Sequence, residues 1–128
     1  VDLSTGEIRK RDLPQDLVEG FLGGLGINLK LYREEAKPLS DPLSPTNPLV
    51  LGAGPLVGTE VPGATKLVAT TKSPIFSKGG KHFVDGAVCG GRLGVQLKRA
   101  GYDHVVIVGK AEEPVYLNLE DGRAELLD

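Results

Sequence analysis

Methionine and tryptophan are absent from this 128-residue chain, cysteine occurs once, and aromatic residues make up 5% of it. A single thiol, Cys89, cannot close an internal disulfide, nor can it supply the several thiolates of a structural zinc or iron–sulfur site. A reduced, cytoplasmic setting is the simplest expectation. No run approaches ~18 apolar residues, and no charged, apolar, small-residue leader opens the chain, so neither a membrane span nor secretion is expected. The lack of an initiator Met reads as trimming or as excision from something longer. Lys and Arg are scattered singly without interleaved aromatics, which is poor material for a nucleic-acid surface. His82 and His104 are the two imidazoles, and neither has Asp, Glu or Cys at metal-ligand spacing.

What the chain does have is glycine (18 residues), proline (9 residues) and an uneven charge. Its length suits one domain or a large piece of one, able to bury roughly two-thirds of its unfolded surface. The formal net charge is −2, yet 7 of the 15 basic residues fall between Val61 and Tyr102 with one acid, Asp85. That leaves 8 basic residues against 16 acids elsewhere, so a basic middle third sits inside an acidic remainder. In the same stretch, Cys89-Gly90-Gly91-Arg92-Leu93-Gly94 reads as a glycine run opening a helix. Free N–H groups and the positive dipole end at such a start favour an anion, and with the surrounding cations they suggest a phosphate-bearing ligand. A solvated basic face with glycines at turns is the alternative that charge alone leaves open.

The pattern of elements predicts an α+β fold, mostly antiparallel sheet with a few short helices. Val1–Leu3 and Glu7–Lys10 read as two strands around Ser4-Thr5-Gly6. Leu17, Val18, Phe21 and Leu22 predict a short amphipathic helix from Pro14 to Gly23-Gly24. A second helix is expected over 25–36, with Ile27, Leu31 and Leu29 facing inward. Four prolines between Lys37 and Pro48 predict an ordered connecting loop. Strands are expected over 49–53, 67–71 and 105–108, and a helix over 90–99 with Gly101 as its stop. The segment 75–86 reads as a loop over a ligand. Val115–Leu119 and Ala124–Leu127 form a hairpin through Asp121-Gly122.

Several local strings have a plainer reading than the chemistry they suggest. Gly52-Ala53-Gly54-Pro55-Leu56-Val57-Gly58 follows a strand, but Pro55, Thr59, Pro62 and Gly63 deny it the helix that a dinucleotide fingerprint requires. Gly23-Gly24-Leu25-Gly26 fits a turn between helices. Cys89, just before the expected helix, would gain thiolate character from the dipole and Arg92, although a small buried hydrophobe is the commoner role of a free cysteine. Ser73 lacks nucleophile-elbow glycines and a base, and turn capping accounts for it.

Read in order, a set of strings resembles the N-terminal domain of the tungsten-containing aldehyde ferredoxin oxidoreductase family. They include Val1-Asp2-Leu3-Ser4-Thr5-Gly6, Phe21-Leu22-Gly23-Gly24-Leu25-Gly26, Asp41-Pro42-Leu43-Ser44-Pro45-Thr46-Asn47 and Gly54-Pro55-Leu56-Val57-Gly58-Thr59. Thr71-Lys72-Ser73-Pro74, Gly90-Gly91-Arg92-Leu93-Gly94, Leu97-Lys98-Arg99-Ala100-Gly101-Tyr102-Asp103 and Gly109-Lys110-Ala111-Glu112-Glu113-Pro114-Val115-Tyr116 follow. Each is weak alone, whereas their shared order over the whole chain is specific.

The resemblance implies a module, residues 1–128, covering the first half and the start of the second half of a pseudo-duplicated domain. Such a module supports a tungsten or molybdenum bis-pyranopterin whose phosphates are bridged by magnesium, in enzymes that oxidise aldehydes to carboxylic acids and pass electrons to ferredoxin. By position, Lys66 matches a family arginine on phosphate, and Gly90 a glycine whose backbone does the same, with the amides of Gly91 and Arg92 beside it. Val88 matches an asparagine whose main-chain carbonyl helps hold the magnesium, and Cys89 stands where serine is usual. Lysine keeps the charge of arginine without its bidentate fork. Between Thr71-Lys72-Ser73-Pro74 and Gly90-Gly91 the chain is a few residues longer than typical members. The family's iron–sulfur cysteines lie in later domains, so the chain alone is expected to be inactive and to need the remaining domains or subunits. A second copy is another partner compatible with apolar sheet faces. A non-catalytic scaffold that kept the fold and lost the cofactor is the rival expectation.

Overall fold

The structure, a computed structural model, describes residues 1–128. Its elements are α1 (Gln15–Phe21), α2 (Leu25–Glu35), β1 (Leu49–Ala53), β2 (Leu67–Lys78), β3 (Lys81–Cys89), α3 (Leu93–Arg99), β4 (His104–Ile107), β5 (Tyr116–Glu120) and β6 (Arg123–Leu127). One antiparallel sheet has the order β3-β2-β1-β4, and β5 and β6 form a separate antiparallel hairpin. The α+β class expected from the sequence is what is found.

Alternation along the strands divides the core between the two faces of the sheet, because successive side chains point to opposite sides. Val50 is buried on one face with Leu17, Ile27, Leu31 and Tyr32 of the first two helices, and Val84 and Val106 pack against this group. Ala53, Leu67 and Val105 are buried on the other face with Val57 and Leu97, flanked by Leu117 and Leu119 of the β5–β6 hairpin. The result is a layered fold with α2 on one side of the sheet and α3 with the small hairpin on the other. Fully buried side chains such as Ile27 and Val50 contribute about 1.5–3 kcal/mol each relative to exposure.

Three segments differ from the sequence expectation, and each has a local cause. The chain start is not a hairpin: Val1–Leu3 spend their main-chain groups on β4, through the Val1 ammonium to Val106 O (2.8 Å) and Leu3 N to Val108 O (2.8 Å). Only a turn remains, closed by Gly6 N to Asp2 O and Asp2 N to Glu7 O, both 2.9 Å. Residues 75–86 are not a loop but the continuation of β2 and most of β3. Gly79 (φ 59°) and Gly80 (φ 73°) supply the two left-handed positions of a tight hairpin turn, while the register break between Lys72 and Ser77 accommodates Pro74, which has no ladder donor. Finally, α3 begins at Leu93 and not at Gly90, because Gly91 has φ 87°, outside the helical region.

Register places one row of strand ends together. Ala53 of β1 pairs with Leu67 of β2, and Leu67 pairs with Cys89 of β3. The residues that leave this row, Gly54, Lys66 and Gly90, therefore emerge side by side at one end of the sheet.

Candidate anion-binding site

Lys66 and Gly90 lie next to each other because they extend the Leu67–Cys89 pair by one residue on each strand. A Cβ built on Gly90 would stand 3.6 Å from the Lys66 Nζ, so the ammonium lies over a backbone stripped of side chain. Gly94, the second residue of α3, tightens the arrangement from the other side. A Cβ there would meet Thr65 O at 3.0 Å and the Lys66 carbonyl at 3.3 Å, and this close approach holds the start of α3 against the 65–66 segment. Gly94 is buried, while Lys66 and the whole stretch 88–93 are exposed.

The site is electrostatically open. Ion pairs in the chain join Arg9 to Glu7, Arg11 to Glu34 and Lys98 to Asp103, and none engages Lys66 or Arg92. The amides of Gly90, Gly91 and Arg92 donate to no group of the chain. An ammonium and three free N–H groups at one strand end, with the exposed Arg92 following them in the chain, form a donor set suited to phosphate oxygens. The helix itself adds little as a dipole, since α3 has seven residues and no side-chain cap.

Cys89 is exposed, and its Sγ lies 3.2 Å from Gly90 O. It stands four residues before α3, so the expectation that a helix start would act directly on its thiol does not hold. Val88, on the outermost strand opposite Val68, is 62% exposed and carries its apolar side chain to the surface. The structure thus brings Lys66, Val88, Cys89, Gly90, Gly91 and Arg92 into one neighbourhood. It gathers no group of three or more His, Cys, Asp or Glu capable of holding a metal, so a metal resident here would arrive with its own ligands. A phosphate-bearing pterin that carries its metal on sulfur fits this donor set, which offers cations and amides and no competing carboxylate.

A feature beyond the sequence expectations adjoins the cradle. An open apolar groove of about 530 Å³ runs from Leu22 and Gly24 past Gly54, Pro55 and Leu56 to Val61, Pro62 and Ala64, with Lys66 as its one charged lining residue. The sequence signal was present in the glycine-proline string after β1, but it became a groove wall only when 54–64 folded back beside β2. A second crevice of about 430 Å³ lies by β4, between the 7–13 segment and residues such as Tyr102 and His104, and its lining mixes Glu7, Arg9, Arg11 and Glu35. It shares no residue with the cradle.

Comparison with known proteins identifies the family and the fold. The model of the aldehyde ferredoxin oxidoreductase N-terminal domain matches residues 1–128. The chain belongs to that family. This aldehyde ferredoxin oxidoreductase N-terminal domain is 41% identical over 128 residues to the tungsten-containing aldehyde ferredoxin oxidoreductase of Pyrococcus furiosus, a match that covers 100% of the chain and 20% of the relative. It is 38% identical, with the same coverage, to the enzyme of that name from Thermococcus kodakarensis. Among solved structures it is similar to the active site complex BamBC of benzoyl coenzyme A reductase in complex with 1,5-dienoyl-CoA, with a TM-score of 0.91, 34% identity, and coverage of 100% of this chain and 19% of that one. The chain thus spans about a fifth of the length of the curated relatives it matches. No helix is long and apolar enough to cross a membrane.

Proposed function

We propose that residues 1–128 are the cofactor-supporting N-terminal module of a tungsten oxidoreductase, active only together with the domains or subunits that complete it. The observation that carries this reading is the Lys66–Gly90 cradle: a cation over a bare backbone, free amides beside it, and an apolar groove alongside. Relatives named as tungsten-containing support the identity of the metal. The whole enzyme would oxidise an aldehyde to a carboxylic acid and pass electrons to ferredoxin, with iron–sulfur ligands from outside this chain.

The bound tungstopterin would supply the redox chemistry. This chain's residues would position it and neutralise it. Lys66 would hold pterin phosphate by charge, Gly90 would let the phosphate approach the backbone, and the amides of Gly91 and Arg92 would complete the donors. Val88 would offer its main-chain carbonyl to the bridging magnesium, a role that needs no amide side chain. Cys89 would border the phosphate site. The groove walls formed by Pro55, Leu56, Val61 and Pro62 would exclude water from one side of the cofactor.

The test is full-length protein produced with tungstate, washed at high salt, and assayed for tungsten by mass spectrometry and for pterin by fluorescence after oxidation. Replacement Lys66→Glu is expected to lower retained pterin about tenfold or more, the scale of a lost charge-assisted contact plus repulsion, while Lys66→Arg retains it. Wild-type protein free of both metal and pterin would overturn the reading in favour of a scaffold without cofactor.

A further inference from the structure

Leu22, between α1 and α2, stands in backbone that leucine rarely occupies. Its φ of 61° and ψ of −55° place it at the centre of a three-residue turn closed by Gly23 N–H to Phe21 O at 2.6 Å, the rare and strained form of the γ-turn. Three neighbouring glycines hold the turn where it is. Gly23 is pressed against Pro55, whose Cδ would lie 2.8 Å from a Cβ there, and a Cβ on Gly26 would stand 2.6 Å from Phe21 O. Gly24 N donates to Ala53 O at 3.2 Å. Yet the side chain that this backbone carries joins neither core cluster and is 75% exposed. A lone exposed leucine needs no explanation, but one held in strained backbone does. Nothing inside the chain offsets the strain.

What Leu22 does line is the apolar groove beside Lys66. We propose that Leu22 is a positioning residue for the cofactor: the fixed turn presents its side chain to a flat face of the pterin whose phosphate Lys66 holds. This inference rests on the cofactor-supporting function proposed above. Contact with the ring face gives Leu22 the apolar burial it lacks within the chain. Because the turn is set before the cofactor arrives, little ordering is left to oppose binding. The other non-glycine residues with positive φ are Leu39 and Asp121. Asp121 belongs to the Asp-Gly turn between β5 and β6. Leu39 (φ 58°) is 95% exposed and lines neither the groove nor the crevice by β4, so it serves as a control outside the site.

The test uses full-length protein produced with tungstate and washed at high salt, with retained pterin read by fluorescence after oxidation. Urea midpoints are read on the same proteins produced without tungstate. Leu22→Ala keeps the strained backbone and removes the contact; it is expected to lower retained pterin about fivefold or more while leaving the urea midpoint unchanged. Leu22→Gly is expected to lose pterin to the same extent and to raise the urea midpoint above that of Leu22→Ala, since glycine relaxes the turn. Leu39→Ala is expected to retain pterin as the wild type does. Wild-type retention in both Leu22 variants would overturn the proposal and leave the cofactor-supporting function standing, as would equal loss in Leu39→Ala. A urea midpoint lowered by Leu22→Ala would overturn it too, by showing that the rest of the polypeptide covers this side chain. Wild-type protein free of tungsten and pterin would overturn both readings together.

Discussion

Asn28 is the residue on which the α2 side of the sheet turns. Fully buried on α2, it donates through Nδ2 to Val50 O (3.3 Å), Val68 O (2.9 Å) and Thr70 Oγ1 (3.1 Å). Those carbonyls only accept, which orients the amide and leaves Oδ1 to accept from His104 Nδ1–H at 2.7 Å. Gly52 makes the meeting possible, because a Cβ there would collide with Asn28 Oδ1 and His104 Nδ1. Replacement Gly52→Ala is therefore expected to cost about 3 kcal/mol or more, from overpacking and from a broken buried hydrogen bond, read as a lowered urea midpoint. His104 also sets a pH dependence. Burial lowers its pKa from 6.5 to about 4, against a smaller upward pull from Asp103 and with a further lowering by Lys98. The folded state then resists the proton that the unfolded chain accepts. Stability is full above about pH 6.5, falls as pH drops toward 4, and at about pH 5 is lower by about 2 kcal/mol than at neutrality. Urea midpoints at the two pH values check this, and His104→Gln should remove that part of the slope.

At the scale of elements, what governs the cradle is how closely α3 can approach the strand ends. Gly94→Ala would add a methyl 3.0 Å from Thr65 O, in a place where backbone must yield. We expect a stability loss of about 1–3 kcal/mol and, because Lys66 is displaced with its neighbour, less pterin retained at high salt than the fold loss explains. A Gly6→Ala control, at φ 73° with open space around the Cβ position, should cost about 1–2 kcal/mol in backbone strain without moving Lys66. Helices α1 and α2 and strands β1 and β4 were legible to within a few residues, since their apolar spacing is strong. Inward faces were read less well. Ile27 and Leu31 are buried as expected, but Leu29, Val18 and Phe21 are each about two-fifths exposed, and the polar Asn28 takes the central position. Periodicity ranks residues by apolarity and has no means of finding a buried amide whose partners lie 22 to 76 residues away. The β2–β3 arm was missed because Pro74 and Gly79-Gly80 look like breakers, whereas here they make a bulge and a turn.

For the whole molecule, charge asymmetry and fold combine into one surface. The basic middle third is not one patch: Lys98 is spent on Asp103, Lys72 donates to Ser40 O (2.9 Å), and Lys78 and Lys81 lie at the far end of the hairpin. Lys66 and Arg92 remain beside the free amides, which is why the candidate site is far smaller than the charged segment. Some of the exposed apolar residues lie on the same side, with Leu22, Leu56 and Val61 lining the groove and Val88 and Leu93 near the cradle, while others such as Leu39, Leu43 and Ile75 lie elsewhere. An apolar wall beside a cationic rim suits a large, flat, anionic ligand better than solvent.

The order of motifs along the chain determined the family, the α+β class and the candidate residues, because each depends on local residue types and their spacing. The tertiary structure alone decided that Lys66 stands over Gly90, that residues 54–64 become a groove wall, and that burial beside Asn28 keeps His104 neutral. Those facts depend on strand register and on close approach of glycine-bearing backbone, which join positions distant in sequence and leave no periodic trace in it.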